Sequence, residues 1–262
     1  MNQDLTNKRA LVCGSTQGIG KAAALELASM GANITLIARN EASLKETLTE
    51  LDTTLRQTHD YIVADFSEPH EVKRKVTEYI LAHGPVNILV NNTGGPASGP
   101  IVSAKTDEFI ETFYRHLICN HILAQAVIEG MKTSGYGRII NVISTSVKQP
   151  IKGLGVSNTV RAAVANWAKT MSFELAPFGI TVNNVLPGAT MTGRLKSIIE
   201  ANANKKGLSK EEIEKEMLAE IPAHRFAEPF EVANAIAFLA SPAAAYITGI
   251  NIPVDGGRTM NL

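Results

Sequence analysis

Short apolar runs recur along the chain, separated by segments with a helical period. RALVCG (9–14), ITLIAR (34–39), YIVAD (61–65), VNILVNN (86–92), GRIINVIS (137–144), GITVNNVLP (179–187) and GINIPV (249–254) read as strands. Between them the pattern predicts helices over about 18–30, 41–57, 68–82, 106–132, 155–176 and 229–240, with Thr106 as N-cap of the fourth. Strands that are apolar on both faces and alternate with helices imply a parallel sheet covered on both sides. The expected fold class is α/β: a single doubly wound domain over 1–262, with a parallel seven-stranded sheet and helices on both faces.

Two segments stand out from this rhythm. Residues 190–227 are far longer than an ordinary strand-to-helix connection. They carry a capping-box pattern, Ser209 to Glu212, ahead of Ile213, Met217 and Ile221 on one face. An insertion at the carboxyl end of a strand suits a substrate lid, and a surface or oligomer-contact helix fits the pattern equally well. In GVSNTVRAAVANW (155–167), Val160, Val164 and Trp167 continue to Met171 and Leu175 as one apolar stripe. Ser157 and Arg161 lie one turn apart on the rim of that stripe, and a guanidinium there requires an anion or a set of acceptors.

Composition narrows the class without changing the picture. Lys+Arg and Asp+Glu both number 25, so no bulk charge points to nucleic acid or an anionic membrane. Two cysteines, Cys13 and Cys119, have no metal-ligand spacing and fit a reducing compartment. The N-terminal MNQDLTNKRA lacks an apolar core, and no apolar run is long enough to span a bilayer. The expectation is a cytoplasmic protein with no metal, no nucleic-acid partner and no membrane partner.

The first strand leads into CGSTQGIGKA, which opens the first helix. Gly14, Gly18 and Gly20 allow a tight turn that brings backbone N–H groups, and the positive end of a helix dipole, against a phosphate. Gly14, Ser15, Gly18, Ile19 and Gly20 are therefore the candidate phosphate contacts of a Rossmann-type dinucleotide site. An NAD site usually carries a carboxylate at the end of the second strand, where this chain has Ala38 and then Arg39. That exchange favours the 2′-phosphate of NADP(H) over NAD(H); the alternative is a surface arginine at the start of a helix. Asp65, with Phe66 beside it, is placed to meet the adenine, or else is a turn residue.

These residues resemble the short-chain dehydrogenase/reductase family over nearly the whole chain. The Gly14–Gly20 turn, NNTG (91–94), GRIINVIS ending on Ser144, ELAPFGITVNNVLPG (174–188), FAEPFEVANAIAFLAS (226–241) and ITGINIPVDGG (247–257) are similar to its signatures, closest in style to 3-oxoacyl-carrier-protein-reductase-like members. The resemblance implies a carbonyl or alcohol substrate, Asn92 and Gly94 on the adenosine and ribose side, and Pro187 and Gly188 behind the nicotinamide. It puts Thr192 on the carboxamide or the pyrophosphate, and Gly95 and Pro96 at the pocket mouth. It also implies a homo-oligomer, tetramer or dimer, through the helices over 106–132 and 155–176, to which Ala162, Ala163 and Ala165 offer a small-residue face.

The family further implies a catalytic tetrad of Asn, Ser, Tyr and Lys. Counting back from ELAP, Ser157 falls at the Tyr position and Arg161 at the Lys position, where Arg161 could hold the cofactor ribose or a substrate anion; counting back from AQAVIEGM, His116 falls at the Asn position. Only Ser144 is retained. An aliphatic hydroxyl hardly ionises and a guanidinium stays protonated, so His116 is the one titrating group these changes introduce. His116, acting through water, is the candidate general acid/base, and an inert structural histidine is the alternative. The candidate catalytic set is Ser144, His116, Ser157 and Arg161. Two functions remain open: an NADP(H)-dependent oxidoreductase with an altered proton relay, or a catalytically silent nucleotide-binding protein with a sensing or assembly role.

Overall fold

The seven apolar runs form seven parallel strands: β1 (Arg9–Cys13), β2 (Asn33–Ala38), β3 (Asp60–Val63), β4 (Ile88–Asn91), β5 (Gly137–Val142), β6 (Ile180–Pro187) and β7 (Asn251–Val254). The computed structural model describes residues 1–261. The strand order is β3-β2-β1-β4-β5-β6-β7. The chain runs outward from β1 through β2 to β3, then crosses back to β4 on the other side of β1 and runs outward the opposite way, which opens a crevice above the carboxyl ends of β1 and β4.

Alternate residues of each strand feed two cores. Ala10 and Val12 face a layer containing α1 (Gly18–Ser29) and α9 (Pro229–Ala240), built around Leu27, Ile236 and Leu239. Leu11 and Cys13 face the opposite layer, made by α3 (Pro69–His83), α5 (Cys119–Ser134) and α6 (Gly155–Leu175) around Val76, Leu123 and Met171. The predicted stripe of α6 is buried at Val160, Val164, Met171 and Leu175, while Trp167 is half-buried and its indole N–H donates to His121 Nδ1 at 3.3 Å.

The carboxyl-half strands carry a polar row inside this apolar sheet. Asn91 donates to Asn141 (2.9 Å), Asn141 to Asn184 (2.9 Å) and Asn184 to Asn251 (2.8 Å), following the strand register. Each of the first three carboxamides donates to the next, which compensates their burial everywhere but at Asn91 Oδ1, an acceptor without a partner among the described residues.

Three boundaries differ from expectation. The second helix, α2 (Glu41–Thr49), stops well short of residue 57. Asp52 accepts the Thr54 N–H at 2.7 Å, and Arg56 takes a left-handed φ of 65°, so local side-chain bonding turns the chain instead. Thr106 is the first residue of α4 (Thr106–Phe113) and not its cap; Lys105 takes that place, its N–H bonded to the Glu108 carboxylate at 2.6 Å. The expected continuous helix over 106–132 widens into a π-helical turn at Tyr114–Ile118 before α5, and His116 sits in that turn.

The long connection forms two helices, α7 (Gly193–Lys206) and α8 (Lys210–Ala219). The capping box forms as expected, with the Glu212 N–H on Ser209 Oγ (3.2 Å) and the Ser209 N–H on Glu212 Oε2 (2.8 Å). The pair packs chiefly on itself through Leu195, Ile199, Ala203 and Ile213, and is clasped by Lys210–Glu200 (2.7 Å) and Lys206–Glu216 (2.5 Å).

Candidate active site

A cleft of about 1470 Å³ runs over the carboxyl ends of the strands, from Arg39 at one end to α7 and α8 at the other. Its floor at β1 is the glycine turn. Gly14 has φ +59°, and a Cβ there would lie 2.7 Å from the Asn92 carbonyl oxygen. A Cβ on Gly20 would lie 2.1 Å from the Gly14 oxygen, so Gly20 serves close helix–strand packing and does not line the cleft. Asn92 Nδ2 reaches the Cys13 and Gly14 carbonyls at 3.3 and 3.4 Å and ties the β4 loop to the turn.

The N-cap of α1, Gln17, makes no side-chain cap, and the first turn holds no acid. The amide groups at that end are left for an anion, as a nucleotide phosphate requires. Gly18 and Ile19 line this part of the cleft, while Ser15 does not: it is fully buried, and its hydroxyl donates to the Ile37 carbonyl at 3.4 Å. Ser15 and Gly20 therefore shape the turn from beneath.

At the β2 end, Arg39 is largely exposed and lies 3.7 Å from Asp65. Partial burial pushes the Asp65 carboxyl up, but the Ser67 N–H and hydroxyl (2.8 and 2.7 Å), with Arg39 and Arg115 nearby, hold it below its ordinary range. Phe66 lines the cleft beside it. Asn40 and Ser43, which sequence reasoning passed over, line the same end; Asn40 caps α2 by accepting the Ser43 N–H at 3.0 Å. The signal for them was the polar cap pattern directly after Arg39 in RNEAS.

The other end brings together Ser144, Ser157 and Arg161 as the sequence predicted. Ser144 Oγ accepts the Ser146 N–H at 3.1 Å, which leaves its own hydroxyl proton free. Arg161 donates Nε to Ser157 Oγ (3.2 Å) and Nη1 to the carbonyls of Val142 (3.3 Å) and Ile143 (2.7 Å). The guanidinium is thus fixed between α6 and the end of β5, and burial, followed by the nearby Arg194, lowers its pKa to about 10. Pro187 and Gly188 end β6 along the cleft, and a Cβ on Gly188 would press on Asp255 at 2.7 Å. Thr192 caps α7, with its methyl 3.0 Å from a Cβ built on Gly18, so α7 begins directly beside the glycine turn.

His116 is displaced from the position a cleft-facing acid would take. It is 5% exposed, does not line the cleft, and hydrogen-bonds through Nδ1 to Thr93 Oγ1 at 2.8 Å. Its Nε2 has no hydrogen-bond partner among the described residues. Burial above all, then Arg161, push its pKa down to about 3 against an opposing pull from the Gly94 backbone, so the imidazole is neutral near pH 7. Thr93, missed in the sequence, does line the cleft and connects it to His116. Gly94 and Gly95 line it too, whereas Pro96 contributes its carbonyl to Arg194. The described residues contain no cluster of metal-ligating side chains, and no helix is long and apolar enough to cross a membrane.

Comparisons with known proteins agree with this architecture. The family described as enoyl-(acyl carrier protein) reductase matches residues 14–259. The chain is 35% identical to the L-xylulose reductase of Caenorhabditis elegans, over 99% of both proteins. It is 33% identical to the 3-oxoacyl-acyl-carrier-protein reductase of Vibrio cholerae, over 98% of this chain and 99% of that one. The crystal structure of L-sorbose reductase from Gluconobacter frateurii, complexed with NADPH and L-sorbose, superposes with a TM-score of 0.93 at 29% identity, covering both chains in full. The chain belongs to the short-chain dehydrogenase/reductase family, in its 3-oxoacyl-carrier-protein-reductase-like part.

Proposed function

We propose that the protein is an NADP(H)-dependent oxidoreductase that reduces a carbonyl, a 3-oxoacyl group among the candidates, or oxidises the matching alcohol. The observation that carries this reading is Arg39 standing at the end of β2, on the same cleft as the uncapped N-terminus of α1. A guanidinium there suits the 2′-phosphate, and free helix-terminal amides suit the pyrophosphate. Gly14, Gly18 and Ile19 would hold the phosphates; Asn92 and Gly94 would line the adenosine and its ribose, with Asp65 and Phe66 at the adenine, and Pro187, Gly188 and Thr192 the nicotinamide side. When bound, the nicotinamide supplies or accepts the hydride.

The chain's own residues would manage the oxygen and its proton. The Ser144 and Ser157 hydroxyls each accept a hydrogen bond from protein and keep a proton to donate to the carbonyl oxygen. Arg161, bonded to Ser157 Oγ, adds positive charge where negative charge develops. Neither serine titrates near neutral pH, so the proton comes ultimately from water in the cleft. His116 serves as a neutral, buried partner that fixes the Thr93 hydroxyl from behind, and not as a charged acid in the cleft.

The exposed Phe173 of α6 and Ile118 beside α5 support assembly into a dimer or tetramer through the outer faces of these helices. Ala162 is exposed there, but Ala165 belongs to the interior.

Calorimetry with NADPH and NADH tests the cofactor reading; NADPH should bind more tightly by at least about tenfold, and equal binding would refute the role of Arg39. Loss of NADPH absorbance with 3-oxoacyl thioesters, diketones, quinones and sugars tests turnover. Tight binding with no turnover across that panel would replace this reading with a silent nucleotide-binding protein.

A further inference from the structure

Arg161 and Arg194 converge on one point. A Cβ built on Gly95 would lie 3.4 Å from Arg161 Nη2, and 3.7 and 3.9 Å from Arg194 Nη2 and Nε. The missing side chain leaves a gap flanked by two guanidinium groups. Neither arginine forms an ion pair with a carboxylate among the described residues.

Each guanidinium is anchored by one side and open on the other. Arg161 gives Nε and Nη1 to Ser157 and to two carbonyls, and its Nη2 has no protein partner among the described residues. Arg194 gives Nη2 to the Pro96 carbonyl, and its Nε and Nη1 likewise have none. Arg194 also occupies the second position of α7, next to the positive end of the helix dipole, where a cation is disfavoured. Two like charges side by side, one of them at the wrong end of a helix and both without a counter-charge, form an electrostatically costly arrangement that an anion would relieve.

We propose that this gap is a carboxylate-binding site and that the substrate is an oxo acid, its carboxylate held between Arg161 and Arg194 and its carbonyl presented to Ser144 and Ser157. The proposal rests on the carbonyl-reductase reading and names its substrate class. Arg161 bonds Ser157 through the same guanidinium that borders the gap, so the carboxylate lies close to the reacting carbonyl, as in a 2-oxo or 3-oxo acid. The alternative anion is the cofactor pyrophosphate, but that group has its own amide donors at the uncapped start of α1.

The test uses NADP⁺-saturated protein, in which an oxo acid binds without being reduced. Phenylpyruvate, a 2-oxo acid, and acetoacetate, a 3-oxo acid, are each titrated against their methyl esters by calorimetry, with wild type and Arg194→Gln. At least one acid should bind the wild type about tenfold or more tightly than its ester. Arg194→Gln, a change at an exposed position of α7, should reduce that preference below about threefold and leave NADP⁺ affinity within about the same factor. Equal binding of acid and ester in every pair overturns the proposal. So does an Arg194→Gln protein that keeps the acid preference while its NADP⁺ affinity falls about tenfold, which assigns the pair to the pyrophosphate. Failure of the wild type to bind NADP⁺ would overturn the reductase reading instead.

Discussion

The glycine turn and the Ser157–Arg161 corner line one cleft and are built from different parts of the chain. At the turn, backbone makes the surface: Gly14 and Gly20 are required because any Cβ would strike a carbonyl oxygen, and the anion is met by amides. At the corner, side chains make it: two hydroxyls, two guanidinium groups, and a threonine backed by a buried histidine. A backbone site tolerates no substitution at its glycines but is indifferent to the substrate. The side-chain site can change its chemistry and stay folded.

The contrast is most severely tested by Gly20→Ala. With a Cβ 2.1 Å from the Gly14 oxygen, the turn must deform, and NADPH affinity should drop by about 100-fold or more, with a lower melting temperature. Calorimetry and thermal unfolding check this, and a fully functional variant would mean that the turn is not a rigid backbone cradle. Next comes the corner. The double change Ser157→Tyr with Arg161→Lys introduces a phenol and an amine at the positions to which the sequence resemblance assigns the family's Tyr and Lys. NADPH-dependent reduction of a neutral diketone should rise by about 100-fold, with a new ionisation in the pH–rate profile. No gain would mean that the surroundings of the corner have diverged as well.

Arg39→Ala should lower the NADPH-to-NADH affinity ratio by about tenfold, read from paired titrations, with a smaller effect at high salt because Arg39 is exposed. The smallest effect is expected at His116. Its folded-state pKa of about 3 lies below the ordinary 6.5, so the unfolded chain binds the proton more readily. The stability associated with a neutral His116 is complete above about pH 6.5 and is lost as pH falls toward 3. His116→Asn should flatten the dependence of melting temperature on pH across that window. A curve parallel to that of the wild type would show that His116 is not held neutral. At neutral pH the same variant should slow turnover only modestly, and an unchanged rate would show that the His116–Thr93 bond does not position the cleft.

The parts of the molecule that depend on periodicity were legible in the sequence. Strands apolar on both faces, the glycine turn and the Ser209 capping box all appear where the pattern put them, because each is dictated by local chemistry. The corner was legible only in part. Ser144, Ser157 and Arg161 do meet on the cleft, but the burial of His116 depends on a π-helical turn that inserts a residue into a helix without any breaker in YRHLI to announce it. The early end of α2 arose from Asp52 and Arg56, whose turn competes with helix only once Leu51 is anchored in the core. Arg194 was overlooked because its importance lies in what surrounds it, a neighbouring cation and no acid, and that requires three dimensions to see.

The asparagine row across β4 to β7 imposes a constraint of its own. The amides of Asn91, Asn141 and Asn184 all point their nitrogens the same way, and reversing Asn141 or Asn184 would set donor against donor on one side and acceptor against acceptor on the other. The orientations are therefore chosen collectively, and the row ends at Asn91 Oδ1, a buried acceptor with no partner among the described residues. Neighbouring Asn92 secures the nucleotide turn, so the sheet's internal polarity terminates one residue from the place where the ligand-binding surface begins.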